Sequence, residues 1–369
     1  MSAKPFANRN GGFTLIEILV SVVIGLLGIV VMFQVLKMWD SLKRTTAAGS
    51  DAQIAGTVAM FSLERDIRPA GMGFSKGDKD DPLVPSMGCK VWAMGPTAFF
   101  SLVPVQIVQG ANGAPDQIIT LYGSSSFFVS TQKYKFTATD SKTVDGSFAG
   151  FKRGDVVIAG GDTAATDCEL LEVSSDATPG VLGHTASSYD NYYTGVSVAS
   201  RFNPAPVHIV AATGFLYNLG PTPQRNVWSI QSEKLYRQDS LYAAAATEVA
   251  DNIIDLQAQY GIDTNGNGKI EDDGTTTLCT VTNEWCEADP VAPADWAKVI
   301  AIRVALLSRS QQFEKTEVTP DRPSWAGGVF NVRNIADATV DVANWKHYRY
   351  RVYEKVVPLR NMVWGGDFK

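Results

Sequence analysis

Histidine is scarce in this chain: three residues, His184, His208 and His347, lie scattered through 369 positions. Cysteine is nearly as rare, with four, and no Cys or His pair has the close spacing that a zinc site needs. There is no Ser/His/Asp nucleophile pattern, no phosphate-cradling glycine loop and no paired-histidine metal motif. Gly266–Gly268 is too short for a dinucleotide loop and follows no strand–helix pattern. These absences argue against catalysis, and the chain is expected to be non-enzymatic. An excess of positive charge is lacking too. Lys and Arg total 32 against 38 Asp and Glu, a net charge of −6. That balance opposes nucleic acid as a direct main partner.

Two local absences say more. No proline occurs from Phe13 to Arg68, and no charged side chain from Ile18 to Leu36, where Ser21 and Gln34 alone break the apolar and glycine character. An uninterrupted helix is therefore expected, with an apolar stretch long enough to span a bilayer, which takes roughly 20 residues. Pro69 and Gly71 end it. Glu17 stands at the front of this run, where a carboxylate costs a few kcal/mol unless it finds a partner. A secretory signal peptide would place its small residues after the apolar core. Here Gly11 and Gly12 come before it, behind a short segment carrying Lys4 and Arg9. The bland reading is a single-pass anchor with a stray Glu, and it leaves that leading segment unexplained.

The order Gly12-Phe13-Thr14-Leu15-Ile16-Glu17, followed at once by the apolar run, resembles the type IV prepilin signal. The resemblance implies cleavage by a prepilin peptidase between Gly12 and Phe13, and N-methylation of Phe13. It also implies that Glu17 is the assembly carboxylate that neutralises a neighbouring subunit's new α-amino group. Two charges that are costly alone in an apolar bundle would then reward correct axial register. Lys4 and Arg9 precede the span while Lys37, Lys43 and Arg44 follow it, so charge does not orient it. The resemblance does, with the leader in the cytoplasm and the head outside.

The chain thus divides into a cleaved leader (1–12), a membrane and assembly helix (13–38), an amphipathic helix continuing into the head (39–68) and a globular head (69–369). Ile54, Val58 and Phe61, joined by Met60 and Ile67, recur near helical spacing and predict the face packed on the head. Gly25, Gly28, Gly49 and Gly56 weaken the helix locally.

Short β-like runs dominate the head: Gln117–Tyr122, Phe127–Thr131, Asp155–Ala159, Glu169–Val173, His208–Ala212, Asn226–Gln231, Lys234–Arg237, Val299–Leu307 and His347–Val357. A hairpin turn is expected at Ser232-Glu233, and a helix or mixed segment over Ala243–Gln259. The expected fold class is α+β and pilin-like, a long N-terminal α-helix packed on a large antiparallel β-rich head. Four cysteines in an exported head suggest two disulfides, for which three pairings exist. Cys279 and Cys286 bracket a turn-like Thr282-Asn283-Glu284 and are the natural pair, leaving Cys89 with Cys168.

Further stretches resemble the minor-pilin family of PilW: Ser62–Arg68 running into Ala70-Gly71, Gly154–Val157, Leu256–Asp263, Val299–Ser310 and Pro358–Asn361. The implied function is initiation or capping of type IV pili, supporting motility, adhesion or DNA uptake. The implied partners are other minor pilins, the major pilin, the prepilin peptidase and the inner-membrane assembly platform. Location would be the inner membrane with a periplasmic head, then the pilus, at its tip. One alternative is a GspJ-like minor pseudopilin of type II secretion, usually a much shorter chain. Another is a membrane-anchored enzyme or adhesin head using aromatics such as Trp325 and Trp345.

Asp263-Thr264-Asn265-Gly266-Asn267-Gly268-Lys269-Ile270-Glu271 places oxygen side chains at alternate positions, with glycine at the sixth. That spacing suits a Ca2+ loop, with Asp263, Asn265, Asn267 and Glu271 as ligands and Lys269 through its carbonyl. The twelfth position is Gly274 rather than a bidentate Glu. The other reading is a polar Asn-Gly turn.

Overall fold

A computed structural model describes residues 12–74, 86–93, 98–126, 131–145, 150–162, 166–178, 180–203, 211–274, 279–290, 293–332 and 344–363. The leader up to Gly11, and the expected runs at Phe127–Thr131 and His208–Ala212 over 127–130 and 208–210, lie outside the described residues. The chain forms two units, Met1–Asp51 and Ala52–Lys369. Within the first, helix α1 (Leu15–Ile67) begins. Its apolar side chains from Leu15 to Met38 are exposed, and α1 is long and apolar enough to cross a membrane by length and composition.

The second unit is β-rich. A nine-stranded sheet runs, edge to edge, through Ala98–Ser101, Lys90–Ala93, Cys168–Glu172, Val156–Gly160, Thr213–Gly220, Gln132–Ala138, Ser141–Asp145, Val181–Gly183 and Ser175–Thr178. Lys90–Ala93 pairs parallel with Cys168–Glu172; the other pairings are antiparallel. A five-stranded sheet orders Thr247–Ala250, Lys234–Asp239, Gln224–Gln231, Gln117–Tyr122 and Val105–Val108. A four-stranded sheet orders Trp285–Cys286, Ile253–Ile262, Val299–Arg309 and Tyr350–Pro358. The Ser232-Glu233 hairpin forms, with φ of 48° and 63°, the left-handed pair that matches strand twist.

The helix or mixed segment expected over Ala243–Gln259 is instead strand, with no helix in it. Thr247–Ala250 and Ile253–Ile262 are strands, separated at Asn252, whose φ of 57° breaks the run. Ile253–Ile262 is central in its sheet and buried at nine of its ten positions. A strand covered on both faces loses the alternation that identifies strands, so its apolar run is ambiguous with a helix.

The head-facing side of α1 follows expectation at Met60 and Ile67 and differs from it at Ile54, Val58 and Phe61. Ile54, Val58 and Phe61 are exposed, whereas Ala52, Ala55, Ala59, Met60, Leu63 and Ile67 are buried. Ala59, Met60, Leu63 and Ile67 share one apolar cluster with Trp228, Leu256, Tyr260, Ile302 and Leu306. Small residues let the backbone approach the sheet. A Cβ on Gly56 would fall 2.1 Å from the Tyr353 ring, so this glycine is a packing requirement as well as a weak helix former. The Tyr353 hydroxyl reaches back to the Gln53 carbonyl at 2.9 Å.

Two carboxylates near the end of α1 tie it to different sheets. Glu64 takes a bond from Lys355 Nζ at 2.6 Å and pairs with Arg68; the Lys355 bond leads in holding its carboxyl below the usual range. Asp66 is buried and accepts from Thr120 Oγ1 (2.8 Å), Tyr122 OH (2.7 Å), Asn226 Nδ2 (2.9 Å) and Trp228 Nε1 (2.6 Å). All four donors sit on the adjacent strands Gln117–Tyr122 and Gln224–Gln231. Asp66→Ala orphans them, and hydrogen bonds to charged groups contribute about 1.5–3 kcal/mol each. Thermal or urea unfolding should show a loss of at least about 3 kcal/mol.

Asp116 stitches the five-stranded sheet to the four-stranded one. Its backbone N–H donates to Leu256 O at 2.7 Å, and its carboxylate accepts from Gly110 N at 2.8 Å and Ala258 N at 2.9 Å. Burial pushes its pKa up to about 6, against an ordinary 3.8. A raised folded value favours the protonated form in the fold. The stabilisation is complete below about pH 4 and is lost as pH rises through about 6. The stability difference between wild type and Asp116→Asn should therefore change by up to about 3 kcal/mol between pH 4 and pH 7, in the sense that wild type loses ground as pH rises.

Candidate functional site

Gly12 and Phe13 lie exposed ahead of the first turn of α1, in extended reach of solvent. Thr14 is the N-cap residue of that helix. Its backbone N–H and hydroxyl donate to Glu17 Oε2 at 2.9 and 2.8 Å, and Glu17 N donates back to Thr14 Oγ1 at 3.3 Å. This is a capping box, Thr-x-x-Glu, which satisfies orphan donors at a helix start. The carboxylate also faces the positive end of the helix dipole. The capping role of Thr14 is a readable signal in the sequence, through its three-residue spacing from Glu17. Ser21 hydroxyl returns to the Glu17 carbonyl at 2.5 Å.

In the second unit, the Ile54, Val58 and Phe61 stripe presents 60%, 45% and 63% of these side chains to solvent. Their spacing of four and three residues puts them on one helix face.

The Asp263–Glu271 loop is closed by its own side chains. Asp263 accepts from Asn267 N (3.0 Å) and Gly268 N (2.8 Å). Asn265 Oδ1 accepts from Asn267 N, and Asn267 Oδ1 from Lys269 N. Their amide nitrogens turn to Glu271, Asn265 Nδ2 at 3.3 Å and Asn267 Nδ2 at 2.5 Å. Gly266 and Gly268 take φ of 75° and 78°, which suits residues without a Cβ. Of the five expected ligands, Asp263, Asn265 and Asn267 accept backbone N–H groups of the loop and Glu271 accepts the two asparagine amides, while Lys269 enters through its N–H.

Sequence reasoning gave no signal for Glu284. It is fully buried, accepts from Thr264 N at 2.6 Å and Glu271 N at 3.0 Å, and so braces both ends of the loop. Glu284 is delivered by the Cys279–Cys286 disulfide ring, whose Cα atoms are 5.1 Å apart. Cys89 is joined to Cys168 at a Cα separation of 5.9 Å, beside the parallel strand pair. Both pairings agree with expectation. Among the described residues, no group of three or more His, Cys, Asp and Glu gathers closely enough to hold a metal ion.

Of the aromatics named in the enzyme or adhesin alternative, Trp325 and Trp345 pack on one cluster, with the Trp325 ring 6.3 Å from that of Phe330. Trp228 donates to Asp66, Trp296 packs edge-on against Tyr260 at 5.5 Å, Trp285 lies 4.0 Å from the Arg303 guanidinium, and Trp345 joins a separate cluster with Phe330.

Two family models match the chain. Residues 7–33 match the prokaryotic N-terminal methylation motif, and residues 225–361 match the type IV pilus-assembly protein W family. No curated protein and no solved structure matches. The front thus carries a methylation motif of the prepilin kind, and the matched type IV pilus-assembly segment contains Asn226, Trp228 and the four-stranded sheet.

Proposed function

We propose that this chain is a non-enzymatic minor pilin that helps initiate or cap type IV pili. Prepilin peptidase cuts between Gly12 and Phe13, Phe13 is N-methylated, and the apolar start of α1 holds the subunit in the inner membrane with its head in the periplasm. The observation that carries this reading is the juxtaposition at the front of α1: a Gly-Phe junction, a capped Glu17 and an exposed apolar helix, in that order. Before assembly, Thr14 keeps the Glu17 carboxylate hydrogen-bonded within the same chain. In the pilus, Glu17 meets the Phe13 amino group of a neighbouring pilin. The Ile54, Val58 and Phe61 stripe meets a neighbour's helix, which would remove apolar surface from water at about 25 cal/mol per Å². The large head suits the tip. The type IV pilus description of the matched head segment favours this reading over the GspJ-like one.

Glu17→Ala should leave membrane insertion and leader removal intact and abolish incorporation into pili. Normal piliation with the variant present in sheared pili would contradict the assembly role. Retained pili with lost protein secretion would favour the type II secretion reading.

The Asp263–Glu271 loop holds Ca2+ within the same reading. The support is its alternating oxygen side chains and the Gly268 turn. Binding must displace the two asparagine amides from Glu271, so affinity is weak, on the order of 10⁻⁴–10⁻³ M. Millimolar Ca2+ should raise the melting temperature and a chelator should lower it. An unchanged melting temperature would make the loop a simple polar turn.

A further inference from the structure

The Asp263–Glu271 loop contains two consecutive Asn-Gly pairs, and their chemistry is set apart by one hydrogen bond. Asparagine before glycine is open to cyclisation, because glycine has no side chain to hinder its own nitrogen. The nitrogen of the glycine attacks the asparagine Cγ, loses its proton, and ammonia leaves with the former Nδ2. Water then opens the five-membered imide at either carbonyl, giving an aspartyl or isoaspartyl residue. The net change is water in and ammonia out, with no oxidant or reductant.

Both asparagines meet the electrophile's requirement alike. Each is exposed, and each Oδ1 accepts a backbone N–H, at 3.0 Å for Asn265 and 2.8 Å for Asn267, which polarises the amide carbon. The amide orientation is fixed at both, because turning it would set NH2 against N–H and oxygen against the Glu271 carboxylate. The nucleophiles differ. Gly268 N–H donates to Asp263 Oδ2 at 2.8 Å, whereas Gly266 N–H donates to no group among the described residues. Gly266 and Gly268 alike have nothing within 4 Å of the position a Cβ would take, so the hydrogen bond to Asp263 and not crowding sets them apart.

From this geometry we infer that Asn265 is a site of spontaneous deamidation and that Asp263 protects Asn267 from the same fate. The product removes the amide donor that Asn265 gives Glu271 and puts a second carboxylate in its place. The head thereby gains negative charge on an exposed loop as it ages. The inference does not depend on Ca2+ binding.

The test is peptide mapping by mass spectrometry of the full-length protein, purified in detergent and incubated at mildly alkaline pH with chelator. Conversion at Asn265 should outrun Asn267 by roughly tenfold or more, the cost of breaking a hydrogen bond to a charged acceptor. In urea the two should react at similar rates. Asp263→Ala should bring Asn267 up to the rate of Asn265. Asn265→Gln should suppress modification at that position and leave the Asn267 rate unchanged. Equal rates in the folded protein, or faster reaction at Asn267, would overturn the inference. So would selectivity that persists in Asp263→Ala.

Discussion

The head depends on one buried carboxylate. Asp66 sits in the last turn of α1, where the helix dipole disfavours negative charge. It is 5% exposed, so water does not compensate. Four side-chain donors from two adjacent strands do, and they fix both the height and the rotation of the helix on the sheet. Once Asp66 faces the strands, Leu63, Ala59, Gly56 and Ala52 must follow at steps of three and four. Ile54, Val58 and Phe61 are then forced outward. The packing of Tyr353 on Gly56 and the Glu64–Lys355 pair tie the same turns to the Tyr350–Pro358 strand. The exposed apolar stripe is thus a consequence of how the helix is locked.

The parts legible in the sequence were those that depend on nearest neighbours along the chain. The stretch around Gly12, Phe13 and Glu17 is legible as a methylation motif because order alone defines it. The Ser232-Glu233 turn follows from local conformation between two alternating strands. The Cys279–Cys286 pair is close in sequence and has a turn between its ends. The α+β class followed from one proline-free segment and many short runs.

Three-dimensional context decided the rest. Ile54, Val58 and Phe61 suggested the buried face, yet a helix that must approach a strand closely turns Ala52, Ala55, Gly56 and Ala59 to it, together with Met60, Leu63 and Ile67. Ile253–Ile262 lost its strand signature because both its faces are covered. Asp66 and Glu284 gave no signal, since their partners lie on other strands or across a loop. Thr14 was legible as half of a capping box but was overshadowed by the charge of Glu17. In the Asp263 loop, spacing identified the side chains that converge. It could not reveal that amide nitrogens face Glu271, or that only one of the two glycine nitrogens is tied down.

One helix therefore serves two environments. Its last turns are specified by polar contacts inside the head, while Ile54, Val58 and Phe61 remain exposed. The most direct test is photocrosslinking in cells, with the probe placed in turn at Val58, Phe61 and Leu63. The account predicts adducts with another pilin from positions 58 and 61 in assembled pili, and none from the buried position 63. Absence of adducts at 58 and 61, with the protein present in pili, would contradict it.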